Sequence, residues 1–73
     1  MRDHEEYVDC EVLFKHFTDK AILVSQNNEE LWIPRSCLAW SSDTAVDGKF
    51  KRGDIVTLRI VGWFAQKNDL EYS

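Results

Sequence analysis

Apolar and polar residues alternate along the first clear pattern of the chain, over residues 7–16. One set of alternate positions is almost entirely apolar, whereas the other set carries Asp9, Glu11 and Lys15. Successive side chains of a β-strand point to opposite faces of a sheet, so the segment predicts a strand with one buried face. The buried set is predicted to be Val8, Cys10, Val12, Phe14 and His16.

Two further apolar runs, residues 21–24 and 30–33, flank a polar turn. Asparagine tolerates left-handed backbone, so Asn27 and Asn28 predict a tight turn between two strands. Pro34 ends the second strand, because proline has no N–H to donate to a sheet. The pattern therefore predicts a β-hairpin.

The period changes again in the last third of the chain. Residues 54–61 alternate and predict a strand, and Gly62 then interrupts the pattern. Residues 63–70 have helical spacing and predict a short C-terminal helix, with Trp63 on the buried side, sealing one end of the fold. Residues 41–53 are rich in Ser, Asp and Gly, so we expect a long loop there.

These elements amount to four or five short strands and one C-terminal helix. Closing a short antiparallel sheet removes its open edges, so we expect a mainly β fold, a small SH3-like or OB-like antiparallel barrel ending in the helix. A chain of 73 residues holds one domain. Residues 1–6 are predicted to be a flexible polar tail, and residues 7–73 a single barrel domain.

Composition narrows the class of protein further. Hydrophobic residues make up 44% and charged residues 30%, which is typical of a globular chain. The net charge of -4 argues against a generally basic surface. Two cysteines are too few for a secreted disulfide scaffold, and no apolar run approaches the ~20 residues of a membrane span. We therefore expect a cytoplasmic protein with reduced thiols and no membrane contact.

Two segments resemble a group of small uncharacterised phage and prophage proteins. The hairpin resembles that group's Ala-Leu-Val, turn, Trp-Ile-Pro-Lys/Arg-Ser pattern, through Ala21-Ile22-Leu23-Val24 and Trp32-Ile33-Pro34-Arg35-Ser36. The ending is similar to its Trp-x-Ala-x-Lys-x-x-Leu pattern, through Trp63, Ala65, Lys67 and Leu70. Where the group has glycine in the turn and near the final leucine, this chain has asparagine and aspartate. The resemblance implies a phage-borne accessory domain in the cytoplasm of a bacterial host, and it implies no particular activity.

Neither a metal site nor an active site is predicted. The possible zinc ligands lack the close Cys-x2-4-Cys pair of structural sites; they are His4, Cys10, His16 and Cys37. Ser36 lies beside a cysteine, but no glycine-rich turn or orienting acid accompanies it for nucleophilic catalysis. We expect a non-enzymatic protein without a cofactor or a small-molecule substrate.

The first candidate function is binding of a protein partner, or of a second copy, through an aromatic and acidic surface. Trp32 beside Arg35 is typical of a binding hot spot if it is half exposed. Asp9 and Glu11 share one strand face and form an acidic row that resembles spaced phosphates. Such a surface would suit a modulator of a host or phage nucleic-acid-processing machine, which is an analogy.

The alternative is a nucleic-acid-binding module. Lys49, Phe50, Lys51 and Arg52 place cations around an aromatic ring, and Arg35 could extend the patch. The simpler interpretation, which we favour, is that Phe50 anchors the predicted loop and the neighbouring cations are solvated. The tryptophans of so small a domain are expected in the core or at its edge; they are Trp32, Trp40 and Trp63.

Overall fold

The computed structural model describes residues 6–72. The elements in chain order are β1 (Tyr7–Phe17), β2 (Ala21–Gln26), β3 (Glu29–Pro34), a 3-10 turn (Arg35–Cys37), α1 (Trp40–Gly48), β4 (Ile55–Val61) and α2 (Gly62–Lys67). The strands form one antiparallel sheet in the order β3-β2-β1-β4. The mainly β class and the short C-terminal helix are thus confirmed. Residues 1–5 of the predicted tail lie outside the described residues.

The four-stranded sheet is open, with β3 and β4 at its edges. The strand pairing shows neither closure into a barrel nor an SH3-like or OB-like arrangement. The segment that follows β3 and the 3-10 turn nevertheless reaches β4, where Leu38 and Ile60 form an isolated antiparallel bridge. Beside this bridge, the N–H of Ala39 donates to the carbonyl of Arg59 at 2.9 Å. This contact covers part of the β4 edge and places the start of α1 against the sheet.

β1 is the longest strand, and a β-bulge near its C-terminal end changes which residues point to each face of the sheet. Cys10, Val12 and Phe14 are buried, as the alternation predicts. The register then shifts between Phe14 and His16, so that His16 lies opposite Leu23. The extra residue of a bulge reverses the alternation beyond it. The prediction that His16 shares the apolar face is therefore wrong, and His16 is exposed.

One face of the sheet, here called the inner face, carries the core, and both helices contribute to that core. The buried cluster is made of Cys10, Val12, Phe14, Ile22, Val24, Ile33, Leu58 and Ile60 from strands, together with Cys37, Leu38, Val46, Val61, Phe64, Ala65 and Leu70.

Of the described helices, none has the length and apolar character needed to cross a membrane.

Helix α1 occupies most of the predicted loop, so the loop prediction for residues 41–53 is wrong. No side chain caps its N-terminus, and most of its residues are poor helix formers. Tertiary contacts hold the helix instead. Ser42 is buried, and its hydroxyl accepts the N–H of Arg59 at 2.8 Å. Arg35 binds Asp43 on the same helix through a 2.7 Å ion pair.

The exposure of the tryptophans differs most from the sequence-based prediction. Trp40 and Trp63 are 79% and 55% exposed, so neither belongs to the core. Helix α2 instead buries the neighbouring Phe64 and Ala65. The prediction that Trp63 seals the fold is therefore wrong. Trp32 is 48% exposed, which agrees with the half-exposed position considered for a binding residue.

Candidate protein-interaction surface

The second face of the sheet, here called the outer face, is open to solvent. Its side chains occupy the positions that alternate with the core, and apart from Val61, which lies opposite Tyr7, none of them is buried. From the sheet register they include Tyr7, Asp9, Glu11, Leu13, Lys15, His16, Leu23, Ser25, Glu30, Trp32, Ile55, Thr57 and Arg59. The structure therefore leaves most of this sheet face exposed over residues 6–72.

Four apolar side chains cross this outer face as a diagonal band. Leu13 lies directly opposite Ile55 of β4, and Leu23 lies directly opposite Trp32 of β3. Leu13 and Leu23 are diagonal neighbours on adjacent strands, since Leu13 pairs with Ser25. Ile55 is 63% exposed at one end of the band and Trp32 lies at the other. We call Ile55, Leu13, Leu23 and Trp32 the apolar band.

Ion pairs lie on both sides of the apolar band. Asp9 and Arg59 are directly opposite on β1 and β4, with 3.3 Å between Oδ1 and Nε. Lys15 binds Glu30 with 2.6 Å between Nζ and Oε2. Exposed pairs of this kind contribute little stability, because water screens them. They do form a polar rim around an apolar centre, with Glu11 as an additional carboxylate.

The predicted acidic row lies in the middle of the sheet and not at an edge. Asp9 and Glu11 belong to β1, which is flanked by β2 and β4. Both share the outer face with Trp32, but β2 separates their strand from β3. The structure therefore brings these three predicted residues onto one surface without direct cross-strand contact between the acids and the indole.

A shallow groove of about 560 Å³ extends the outer face towards the chain's end. The Gln26 side chain fixes one wall: its Oε1 accepts the N–H of Glu71 at 2.8 Å, and its Nε2 donates to the carbonyl of Glu71 at 3.1 Å. Carboxylates and apolar groups share the lining, which includes Asp9, Glu11, Leu13, Ile55, Glu71 and Tyr72. The groove therefore favours a cationic side chain with an apolar stem.

Arg35 is engaged inside the chain. Its Nε donates to Asp43 at 2.7 Å, its Nη2 donates to Asp47 at 2.7 Å, and its Nη1 donates to the carbonyl of Thr18 at 3.2 Å. The side chain is only 13% exposed. The hydrogen bond from Arg35 lowers the pKa of Asp47 below its ordinary value. These contacts hold α1 against the end of β3, so the guanidinium of Arg35 stabilises the fold through hydrogen bonds within the chain.

The basic segment after α1, residues 49–52, contains one half-buried aromatic residue and three exposed cationic residues. Phe50 is half buried, with its ring centroid 5.6 Å from that of Phe14. Lys49 and Lys51 are exposed. Arg52 is also exposed, and its Nε donates to the carbonyl of Lys15 at 3.0 Å. Phe50 thus anchors the segment, as the simpler interpretation predicts.

Both cysteines of the chain are buried. Burial, with a contribution from Asp9, raises the pKa of Cys10 to about 11, so this thiol is protonated at neutral pH. Cys37 is also buried and forms no disulfide. In the part of the chain that the structure describes, no group of three or more His, Cys, Asp or Glu side chains could hold a metal ion. His4 lies outside that part.

The sequence predicted Trp32, Asp9 and Glu11 for this candidate surface but did not indicate its apolar members. Leu13 and Ile55 stand on the polar side of alternating segments, and an apolar residue at such a position was the available signal. Tyr72 was missed because nothing local predicts its place beside the sheet.

No family model, no curated protein and no solved structure matches this chain.

Proposed function

We propose that this chain is a non-enzymatic interaction domain that binds another protein through its outer face. The observation that carries the proposal is the apolar band, which crosses the face of the sheet that the helices leave uncovered. Scattered surface leucines need no explanation, whereas a continuous apolar band with a polar rim is typical of a contact surface.

The charges around the apolar band define the partner's chemistry. The outer face carries three carboxylates, on Asp9, Glu11 and Glu30, against two cations, on Lys15 and Arg59. The groove beside it adds the carboxylate of Glu71. A complementary partner therefore presents an apolar patch bordered by lysine or arginine side chains. Proteins that bind nucleic acid carry lysine and arginine on their binding surfaces, which supports the predicted action on a nucleic-acid-processing machine.

Trp32 and Ile55 are the residues from which most binding energy is expected. Both are large, and both have about half or more of their surface in solvent. Burying exposed apolar area stabilises a complex by about 25 cal/mol per Å² before the costs of association are subtracted. Tryptophan is also enriched among binding hot spots.

Three finer statements belong to the same proposal. The isolated bridge between Leu38 and Ile60 supports an SH3-like or OB-like barrel. The resemblance in the hairpin and the C-terminal ending supports a phage-borne accessory domain. Cys10 is a buried thiol outside any disulfide, which agrees with a reducing cytoplasm.

Site-specific photo-crosslinking in living bacterial cells tests the proposed surface. A photoreactive amino acid replaces Thr57 on the outer face, or Lys67 on α2 as the control position. We expect a discrete protein adduct from position 57 and none from position 67. Ile55→Lys should abolish the adduct, whereas Trp63→Lys, which changes another exposed hydrophobic residue on the helix side, should leave it intact. Equal adducts at both positions, or an adduct that survives Ile55→Lys, would contradict the proposal.

Nucleic-acid binding is a second candidate, because the structure places an exposed aromatic ring near the basic segment. Phe17 is exposed, its ring is 6.3 Å from that of His16, and Nη2 of Arg52 is 3.4 Å from His16 Nδ1. Fluorescence titration with single- and double-stranded oligonucleotides at two salt concentrations tests this candidate. Salt-sensitive binding that is lost in Lys51→Glu but kept in Lys67→Glu would favour it.

A further inference from the structure

The free edge of β3 exposes a short row of backbone hydrogen-bonding groups. The two-residue turn makes Gln26 and Glu29 a hydrogen-bonded pair, and the bond from the N–H of Arg35 to the carbonyl of Lys20, at 2.8 Å, fixes the same alternation at the other end. Glu30 and Trp32 lie between hydrogen-bonded pairs, so their N–H and C=O groups point away from β2. Over residues 6–72, no strand pairs with this side of β3.

We infer that this edge pairs, in antiparallel orientation, with β3 of a second copy of the chain. In the register that we propose, Leu31 lies opposite Leu31 of the second copy, and Glu30 lies opposite Trp32. Each of those two Glu30–Trp32 pairs exchanges two backbone hydrogen bonds, which gives four in total. The inference extends the proposed function, because the second copy is a protein partner, but it uses the edge of the sheet and not the outer face.

Charge and proline select this register over its neighbours. A register centred on Trp32 places Pro34 opposite Glu30; it also keeps four hydrogen bonds, but it leaves the Glu30 carbonyl of each copy without a donor, because proline has no N–H. A register centred on Glu30 places two carboxylates directly opposite each other, which is unfavourable. The register centred on Leu31 avoids both problems, since Pro34 then lies beyond the paired segment. It also brings together the half-buried Leu31 side chains at the margin of the two cores.

The pairing makes one continuous sheet of eight strands from two four-stranded sheets. A two-fold axis perpendicular to the sheet keeps the helices of both copies on one side and both outer faces on the other. The two apolar bands then meet at the Trp32 ends and form one longer surface. The contact involves one short strand per copy, well below the roughly 1,600 Å² of a stable complex, so the dimer is weak and depends on concentration.

Oxidative trapping of single cysteine substitutions tests the register directly. Directly opposite residues in a non-hydrogen-bonded pair have Cα atoms about 4.5 Å apart, within the range that a disulfide spans. Leu31→Cys should therefore form a covalent dimer under mild oxidation, while Trp32→Cys and the exposed control Ile55→Cys stay largely monomeric. The native thiols are buried and do not compete. A dimer from Trp32→Cys or Ile55→Cys, with none from Leu31→Cys, would overturn the inference.

Sedimentation of the intact chain with a proline substitution provides the second test, which does not depend on the tolerance of Leu31 to change. Glu30→Pro removes an N–H that points away from β2, so it leaves the β2–β3 pairing intact and removes two of the four dimer bonds. Glu30→Ala is the matched control, because it removes the same ion pair with Lys15 but keeps the N–H. We expect dimerisation about tenfold weaker for Glu30→Pro than for Glu30→Ala, with both chains folded by circular dichroism.

A wild-type chain that stays monomeric at millimolar concentration, or equal dimerisation of the two variants, would overturn the inference. These outcomes are separate from those of the proposed function. Loss of edge pairing would leave the Thr57 crosslink and its sensitivity to Ile55→Lys unchanged. Failure of that crosslink with an intact Leu31→Cys dimer would contradict the proposed function alone.

Discussion

The paired substitutions Phe64→Ala and Trp63→Ala test how α2 packs. Phe64 is 9% exposed and belongs to the core, so its truncation should cost about 3–5 kcal/mol of the free energy of unfolding. Trp63 is half exposed, and its ring contacts that of Phe64 at 5.9 Å in an edge-to-face arrangement. That contact contributes about 0.5–1.5 kcal/mol in addition to the buried part of the indole, so the loss for Trp63→Ala should be smaller than that for Phe64→Ala. The smaller side chain is thus expected to matter more.

Urea denaturation followed by far-UV circular dichroism measures both free energies without relying on tryptophan fluorescence. A domain of 73 residues is expected to have about 4–11 kcal/mol of total stability, so Phe64→Ala should lose a large share of it at 25 °C. Trp63→Ala should keep a cooperative transition close to that of the wild type. A loss for Trp63→Ala equal to or larger than that for Phe64→Ala would refute the packing of α2 described above.

Three further predictions concern the contacts of Arg35 with α1, the hairpin turn and the buried thiol of Cys10. Arg35→Met should lower the thermal midpoint by roughly 5 °C at neutral pH, because α1 loses its attachment while water screens part of the loss. Since Arg35 lowers the pKa of Asp47 in the folded chain, the Asp47 contribution is present above pH 3.8 and disappears as the pH falls below it, so the difference between wild type and variant should narrow in acid. Asn28→Gly should stabilise the chain by about 0.5 kcal/mol in urea denaturation, because Asn28 has a φ of 68° in the turn; a lower midpoint would contradict that cause. Iodoacetamide at pH 8 should leave Cys10 unmodified in the native chain and alkylate it in urea, as mass spectrometry would show, since its pKa is about 11.

Alternation in the sequence was enough to predict the strands. The hairpin turn at Asn27 and Asn28 is confirmed, with both residues at positive φ. The strand predicted over residues 54–61 is confirmed as β4, with Leu58 and Ile60 buried as their shared face requires. These features depend on neighbours in sequence, which is why local patterns reveal them.

The missed features depend on contacts between distant segments. Helix α1 has weak intrinsic propensity, and it forms because Arg35 and Ser42 tie it to chain elsewhere. The bulge after Phe14 leaves no trace in the alternation itself, so His16 was placed on the wrong face. For the candidate surface, alternation placed Asp9 and Glu11 on one face, whereas their position relative to Trp32 depends on the strand order.

Covalent footprinting inside cells tests most directly the claim that the outer face is the contact surface. Radical or carbene labelling of the purified chain gives the reference reactivity of each exposed side chain, and the same labelling in the cell reveals which ones a partner covers. We predict that Trp32 and Ile55 are protected in the cell, whereas Trp40 and Trp63 react as they do in the purified chain. Equal reactivity at all four positions, or protection at Trp40 and Trp63 alone, would contradict the claim.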